Sequence, residues 1–237
     1  MKNKYHAEIL ELIKKNAGKA TKHTDLDSYL GTTHPRYPIT VPLLRIIAKD
    51  WMRQHVDLTR SAFSSLVTSL TKGESSTEKS MAGILLDYAT KDQCQFNPKL
   101  FDRWLDELEG WAEVDNLCTG RYTSTEILNQ WESWEPLLQK FAISKNIHKR
   151  RASIVCLCSP LRDSNDKRLV ECALKNIELL KSEKDILITK AISWVLRTMI
   201  KHHKKTVAIY LKENADTLPI IAVRETHIKL KTGRKSG

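Results

Sequence analysis

The chain has 237 residues, 41% of them hydrophobic, so it can bury a sizeable core, which excludes a wholly disordered protein. Its 39 Lys and Arg outnumber its 28 Asp and Glu, giving a formal net charge of +11 and a pI of about 9.4, values typical of proteins that bind phosphate backbones. No stretch reaches the roughly 20 apolar residues of a membrane helix, and residues 1–15 lack the apolar run of a secretory signal, so we predict a cytoplasmic protein without membrane contact.

Apolar residues recur at spacings of three and four along most of the chain, whereas the alternation typical of strands is almost absent. This pattern predicts an all-α protein. The predicted helices are, in chain order, YHAEILELIKKN (5–16), VPLLRIIAKDWMRQ (41–54), RSAFSSLVTSL (60–70), EKSMAGILLDYAT (78–90), KLFDRWLDELE (99–109), WEPLLQKFAIS (134–144), KRRASIVCLC (149–158), DKRLVECALKNIELL (166–180), KDILITKAISWVLRTMIKHH (184–203) and KKTVAIYLKEN (204–214).

Short polar breaks separate these helices, and several breaks carry residues that start helices. Ser75 and Glu78 have the spacing of a capping box, and Asn146 precedes an apolar run. Pro98 and Pro136 are interpreted as first-turn prolines, since the first turn does not need their missing N–H.

Pairs of helices that repeat at roughly 35 to 45 residues are typical of an α-solenoid of HEAT-like repeats, which curves and presents a concave face. The positive net charge predicts that this face is basic. No linker rich in Gly, Ser or Pro divides the chain. We therefore predict one HEAT-like repeat domain over residues 1–231 and a mobile basic tail at residues 232–237.

The cysteines and histidines give no sign of a metal site. The five cysteines are an odd number without a C-x-x-C pair, and two of them, Cys156 and Cys158, lie in an apolar run, so we expect buried reduced thiols. The eight histidines form no H-E-x-x-H pattern. The sequence predicts neither a metal nor a cofactor.

The segment KAISWVLRTMIK (190–201) places an aromatic ring among cations. Lys190, Trp194, Arg197 and Lys201 are spaced by four, three and four residues, which stacks them on one helix face. Trp194 could bury its ring at the edge of the core and leave its N–H in water. Alternatively, the stripe is a surface for an anionic polymer, with the cations bound to phosphates.

Two other segments carry candidate functional groups. In the proline-rich stretch TTHPRYPITVP (32–42), Arg36 and Tyr37 offer a cation and an aromatic ring, in a stretch that is either a connecting loop or a nucleic-acid contact. In EGWAEVDNLC (109–118), Trp111 and Asp115 lie four residues apart and therefore on one helix face. Asp115 could instead cap a neighbouring helix.

With these motifs in place, the sequence resembles the HEAT-like repeat DNA alkylation-repair glycosylases, the AlkD-like family. The resemblance covers nearly the whole chain and preserves the order and spacing of its segments, which are VPLLRIIAKDW (41–51), EKSMAGILLDYA (78–89), WAEVDNL (111–117), KRRASIV (149–155), KAISWVLRTMIK (190–201) and VRETHIKLK (223–231). The chain departs from the family in having Gly110 where an aromatic residue precedes the Trp-x-x-x-Asp motif, and in its proline-rich loop.

The resemblance implies hydrolysis of the N-glycosidic bond of cationic alkylated purines, such as N3-alkyladenine and N7-alkylguanine, in duplex DNA without base flipping. It implies that Asp115, Trp111 and Trp194 form the catalytic group around the deoxyribose of the lesion, in one cleft with Arg151. It further implies that Arg151 binds the adjacent phosphate. Phosphate contacts are also expected from Arg150, Lys190, Arg197 and Lys201, with Arg36 and Tyr37 as secondary candidates.

Two other functions remain open at this stage. A catalytically silent protein that binds bent or branched DNA through shape and charge would account for Gly110 and the altered loop. A protein-interaction scaffold would fit the fold, because helical solenoids often bind proteins, but it would not explain the net positive charge. For the first two functions the expected partner is double-stranded DNA, bound by a monomer and, in the cell, associated with the nucleoid.

Overall fold

The computed structural model describes residues 3–19 and 31–234. Within these two ranges every regular segment is helical and none is a β-strand, so the predicted all-α fold is confirmed. Of the predicted basic tail, Thr232 is the last residue of the final helix and residues 233–234 follow it directly, whereas residues 235–237 lie outside the described residues. The mobility of the tail stays a prediction.

The chain divides into two compact units, residues 1–122 and residues 123–237, called unit 1 and unit 2 below. Each unit has its own buried apolar core, with Phe63 and Trp104 among the largest fully buried side chains of unit 1, and Trp134 and Phe141 among those of unit 2. The single continuous domain and its concave basic face stay predictions.

The helices of unit 1 surround one central helix. They are α1 (Lys4–Asn16), α2 (Val41–Gln54), α3 (Arg60–Thr71), α4 (Ser76–Leu86), α5 (Leu100–Trp104) with a 3₁₀ turn at Leu105–Glu107, and α6 (Gly110–Cys118). All eleven residues of α4 are buried, polar ones included. A helix that is buried on every side can act as the support against which the surrounding helices are positioned.

Unit 2 contains the longer helices. They are α7 (Arg121–Asn129, which carries the boundary between the units), α8 (Trp131–Ala142), α9 (Ile147–Val155), α10 (Cys158–Asp163), α11 (Lys167–Leu180), α12 (Ile186–Asn214) and α13 (Ile220–Thr232). The backbone of α12 is non-helical at His203, where a kink divides it. This kink coincides with the predicted boundary between the helices at 184–203 and 204–214.

The helix starts agree with the predicted capping residues but not with the two prolines. Ser75 and Glu78 form the complete capping box at α4, and the Asn146 side chain accepts a hydrogen bond from the N–H of His148 at α9. Pro98 precedes α5, which begins at Leu100, so its predicted first-turn placement was wrong. Pro136, by contrast, lies inside α8, because that helix begins at Trp131, one turn earlier than predicted. The first-turn placement of Pro136 was therefore wrong.

The first turn of α4 holds a buried pair of opposite charges. Glu78 accepts hydrogen bonds from His6 (2.9 Å) and from the Ser75 hydroxyl (2.5 Å). Burial alone would raise the pKa of the Glu78 carboxyl, but the hydrogen bonds from His6 and Ser75 outweigh it and lower that pKa to about 2. Next to it, Lys79 donates to the carbonyl oxygens of Thr71 (2.8 Å) and Glu107 (2.7 Å), and burial lowers the pKa of its ammonium group.

All five cysteines are buried and outside disulfides, as the sequence predicted. Burial, with a smaller contribution from Glu135, raises the pKa of the Cys172 thiol to about 12, so this thiol is unreactive near neutral pH. Among the described residues, no helix is long and apolar enough to cross a membrane.

Candidate nucleic-acid interface and active site

Helix α6 carries Trp111 and Asp115, and a close backbone approach to α4 fixes its position. A Cβ atom added to Gly83 of α4 would lie 2.3 Å from the carbonyl oxygen of Asn116 and 2.6 Å from the nitrogen of Leu117. Only glycine allows two helix backbones to approach so closely. The position of the Trp-x-x-x-Asp motif therefore depends on Gly83.

Gly110 begins α6 with a left-handed backbone, at a φ of 67°. Any other residue would carry a steric penalty of about 1–2 kcal/mol in this conformation. The local backbone therefore favours glycine at position 110.

A buried carboxylate holds the start of α6 and the preceding loop together. Glu113 is fully buried and accepts hydrogen bonds from the backbone N–H of Glu109 (2.8 Å) and the hydroxyl of Thr32 (2.8 Å). The imidazole Nδ1 of His34 lies 3.1 Å and 3.2 Å from its two oxygens. Glu109 adds a second connection, since its carboxylate accepts hydrogen bonds from the N–H and the hydroxyl of Thr33.

The proline-rich loop is also pinned to the first turn of α4. The N–H of Ser76 donates to the carbonyl oxygen of Pro35 (2.9 Å), and the N–H of Tyr37 donates to the hydroxyl of Thr77 (3.0 Å). Arg36 lies between these two connections. Its backbone is therefore held beside α4, although it belongs to a loop without regular structure.

A cavity of about 230 Å³ lies between the loop, α2, α4 and α6, and we call it the α4–α6 cavity. Trp111 and Asp115 line it from α6, and Arg36 lines it from the loop. The hydroxyl-bearing residues Ser76 and Ser80 line it from α4. Three of the predicted site residues are thus brought together in unit 1.

Tyr37, the fourth predicted site residue in unit 1, is not among the residues that line this cavity. It is half-buried, and its backbone joins the loop to α4. Its contact with nucleic acid stays a prediction.

In unit 2, the predicted phosphate ligand Arg151 is buried and bonded to the start of α12. Its guanidinium donates to the carbonyl oxygen of Leu187 at 2.6 Å. Leu187, Lys190 and Trp194 are spaced by three and four residues and share one face of α12. Lys190 is exposed and Trp194 is half-buried, so the tryptophan belongs to the edge of the core and also reaches the surface.

Three other predicted DNA-binding cations of unit 2 are engaged in contacts within that unit. Arg150 forms a two-pronged ion pair with Glu183 (2.7 and 3.1 Å) and donates to two carbonyl oxygens before α9. Arg197 pairs with Glu225 of α13 at 3.3 Å, and its side chain is 11% exposed. Lys201 donates to the carbonyl oxygen of Arg162 (2.9 Å). Their contact with DNA stays a prediction.

Comparison with known proteins decides the family. A family model described as "DNA alkylation repair enzyme" matches residues 10–230. The chain belongs to this family. DNA alkylation repair enzymes act on DNA, which is therefore the substrate of this protein.

A solved structure supports the fold of the repair enzyme. It is described as a predicted DNA alkylation repair enzyme from Enterococcus faecalis, and it is similar with a TM-score of 0.73 over 92% of this chain and 99% of that one. The identity is 16%, so this likeness concerns the fold, which is the all-α, solenoid-like fold of the family. No curated protein matches the chain.

Several groups of the site were not found from the sequence. Glu113 was not predicted because a glutamate within WAEVDNL is ordinarily interpreted as a polar surface residue. Its hydrogen-bond partner Thr32 is 81 positions away in the sequence. Ser76 and Ser80, which line the α4–α6 cavity, were not identified from the sequence as site residues. The spacing of four between Ser76 and Ser80 was the signal available, because it places both on one face of α4.

Proposed function

We propose that this repair enzyme is a DNA glycosylase that hydrolyses the N-glycosidic bond of cationic alkylated purines, N3-alkyladenine and N7-alkylguanine, in duplex DNA without base flipping. The observation that carries the proposal is the α4–α6 cavity, which Trp111 and Asp115 both line. The family membership supplies DNA as the substrate, and the alkylated purine is the proposed lesion.

The lesion itself makes the leaving group good. An alkylated purine carries a positive charge that is neutralised when the base departs, so a general acid is not required. The charge that must be stabilised is the one that develops on the deoxyribose as the bond breaks. A preorganised anion is the group that stabilises such a charge.

Asp115 is proposed to stabilise this oxocarbenium-like charge and to orient the attacking water. Trp111 is proposed to pack its ring against the sugar, where the negative face of the indole adds cation–π stabilisation of about 1–2 kcal/mol. Both residues lie on α6, whose placement is set by Gly83 and Glu113. The two groups therefore have fixed positions before DNA arrives, which is what electrostatic catalysis requires.

Unit 2 is proposed to supply further DNA contacts without reading the sequence. Arg151 and Lys190 would bind phosphates, Arg151 through N–H groups other than the one that donates to Leu187, and Trp194 would add an aromatic contact to the DNA. Of these, Lys190 is exposed and Trp194 is half-buried. Arg150, Arg197 and Lys201 would contribute mainly through the overall positive field, because their charged groups already have partners within unit 2.

Base release from methylated duplex DNA tests the proposal. The protein is incubated with plasmid treated with a methylating agent, and the released bases are separated by chromatography. We expect N3-methyladenine and N7-methylguanine in the soluble fraction, and no release of hypoxanthine from a control duplex, because neutral hypoxanthine needs protonation to leave. Tight, salt-sensitive DNA binding without base release would instead indicate the alternative, a catalytically silent protein that binds bent or branched DNA.

A further inference from the structure

We propose that the α4–α6 cavity contains a phosphodiester subsite, formed by the hydroxyls of Ser76 and Ser80 and the guanidinium of Arg36, which holds a DNA phosphate next to the lesion. The proposal rests on the proposed function for its substrate. It gives a functional role to the buried helix α4, for which the sequence and the family membership indicated none.

Two buried serines without partners carry the inference. Ser76 and Ser80 are 2% and 8% exposed, and both line the cavity. Among the described residues, neither side-chain hydroxyl forms a hydrogen bond, although the backbone N–H of Ser76 is bonded to Pro35. Both serines line one cavity, so their hydroxyls are accessible to a ligand with several acceptor oxygens.

The spacing of the serines suits a phosphate. Residues four apart on a helix have Cβ atoms about 5–6 Å apart, so two hydroxyls can donate to different oxygens of one phosphate group. Thr77 adds a third donor. Its oxygen accepts a hydrogen bond from the N–H of Tyr37, which leaves the hydroxyl proton available, and it also lines the cavity.

One positive group favours an anion in this cavity. Ser76 is the first residue of α4, whose terminus is already capped by Ser75 and Glu78, and Ser80 lies one turn further along the helix, so the positive charge comes from Arg36. Arg36 lines the same space, and the connections of its neighbours Pro35 and Tyr37 to Ser76 and Thr77 hold it beside this turn. Its guanidinium has no hydrogen bond or ion pair within the described part of the chain.

Asp115 lines the same cavity and would repel a phosphate placed against it. The residues of the two helices therefore suit different parts of a nucleotide, the sugar at Asp115 and Trp111 on α6, and the phosphate at Ser76 and Ser80 on α4. Sugar and phosphate are directly bonded in DNA, so a phosphate fixed at α4 would set the position of the deoxyribose against Asp115. This subsite would act in positioning the substrate.

Methylphosphonate scanning tests the subsite. The probe is a duplex with one tetrahydrofuran abasic-site analogue, in which each phosphate around the analogue is replaced in turn by an uncharged methylphosphonate. Affinities are measured at constant ionic strength, because phosphate contacts depend on salt. At one flanking position, the replacement should weaken binding to the wild type about 10-fold and to Ser76→Ala/Ser80→Ala less than 2-fold.

The matched control is Ser65→Ala/Ser182→Ala, which removes two exposed hydroxyls and should behave as the wild type at every position. Arg36→Gln changes a half-buried loop residue without touching the core, and it should lose discrimination at the same phosphate. The proposal would be overturned if methylphosphonate replacement reduced the affinity of the wild type and of both site variants equally at every position. It would also be overturned if no replacement reduced the affinity of the wild type.

Two further measurements separate the possible sources of failure. Inorganic phosphate is compared with chloride at equal ionic strength in thermal unfolding. In one outcome, phosphate stabilises the wild type but not the double serine variant, while methylphosphonate replacement affects both proteins equally. That combination would show a site for free anions and would contradict the DNA subsite. Release of N7-methylguanine is measured separately. If one phosphate position matters but no base is released, the subsite is supported and the glycosylase activity is refuted. If base is released but no position matters, the glycosylase activity is supported and the subsite is refuted.

Discussion

The candidate groups of unit 1 and the candidate groups of unit 2 are held in different ways. In unit 1, Trp111, Asp115 and Arg36 line one cavity, while other charges, Glu113 and Lys79, are buried behind them as structural connections. In unit 2, by contrast, three predicted DNA-binding cations, Arg150, Arg197 and Lys201, form ion pairs or hydrogen bonds within the unit. A row of basic residues in a sequence therefore overstates the number of cations that can bind phosphates, because some of them stabilise the fold.

The largest effect is expected where α4 and α6 touch. Gly83→Ala would place a methyl group 2.3 Å from the backbone of Asn116, and because backbone atoms cannot move aside alone, α6 must shift. We expect a loss of about 3 kcal/mol or more in unfolding free energy, measured by urea denaturation, together with loss of base release. Gly18→Ala is the control, since its Cβ would meet its nearest neighbour at 3.8 Å. Wild-type stability in Gly83→Ala would contradict the close approach.

The buried carboxylate of unit 1 gives the next effect. Glu113→Ala leaves the N–H of Glu109 and the hydroxyl of Thr32 without their acceptor, which should cost about 2–4 kcal/mol of unfolding free energy. Glu11→Ala, which changes an exposed glutamate, should cost less than about 0.5 kcal/mol. If the two variants unfold at the same urea concentration, Glu113 does not hold the loop to α6.

Acid should weaken unit 1 through Glu78. The folded-state pKa of this carboxyl is about 2, below its ordinary value of 4.5, so its stabilising contribution is complete above pH 4.5 and is lost as the pH falls towards 2. The difference in unfolding free energy between the wild type and Glu78→Gln should shrink by about 2–3 kcal/mol over this range. A difference that stays constant with pH would show that Glu78 titrates normally in the folded protein.

The smallest effects distinguish two cations of unit 2. Lys190→Ala should weaken DNA binding a few-fold and reduce the slope of log affinity against log salt by about 0.9, because Lys190 is exposed. Arg150→Ala should leave that slope nearly unchanged and lower the unfolding free energy by about 1–3 kcal/mol, since it breaks the ion pair with Glu183. If instead Arg150→Ala reduced the salt slope and Lys190→Ala left it unchanged, Arg150 and not Lys190 would be the residue that contacts phosphate.

The helical fold was largely predictable, because hydrophobic spacing determines the long helices. The bounds of α2 were predicted to the residue, and the predicted boundary between two helices after residue 203 coincides with the kink at His203 within α12. The pattern failed for α13, in which only Ala222 and Thr226 are buried, so that no apolar stripe marks the helix. It also failed for the six-residue α10, which is too short for a period to show.

The site was only partly predictable, since a sequence gives spacing along a helix but not the partners across space. The spacing of Trp111 and Asp115 correctly placed them on one helix that lines a cavity. The left-handed backbone of Gly110 and the close approach at Gly83 could not be read from the sequence, because both depend on the tertiary packing of α6. For the same reason, Arg150 was taken for a surface cation although it is paired with Glu183.

The central claim, that Asp115 stabilises the charge of the breaking glycosidic bond, is tested most directly by single-turnover release of N7-methylguanine from a defined duplex. Asp115→Asn should slow release about 10²- to 10³-fold, while its affinity for the same DNA stays equal or increases because a negative charge leaves a basic protein. Asp57→Asn, which changes an exposed aspartate of unit 1, should release the base at the wild-type rate. Equal rates for Asp115→Asn and the wild type would contradict the account.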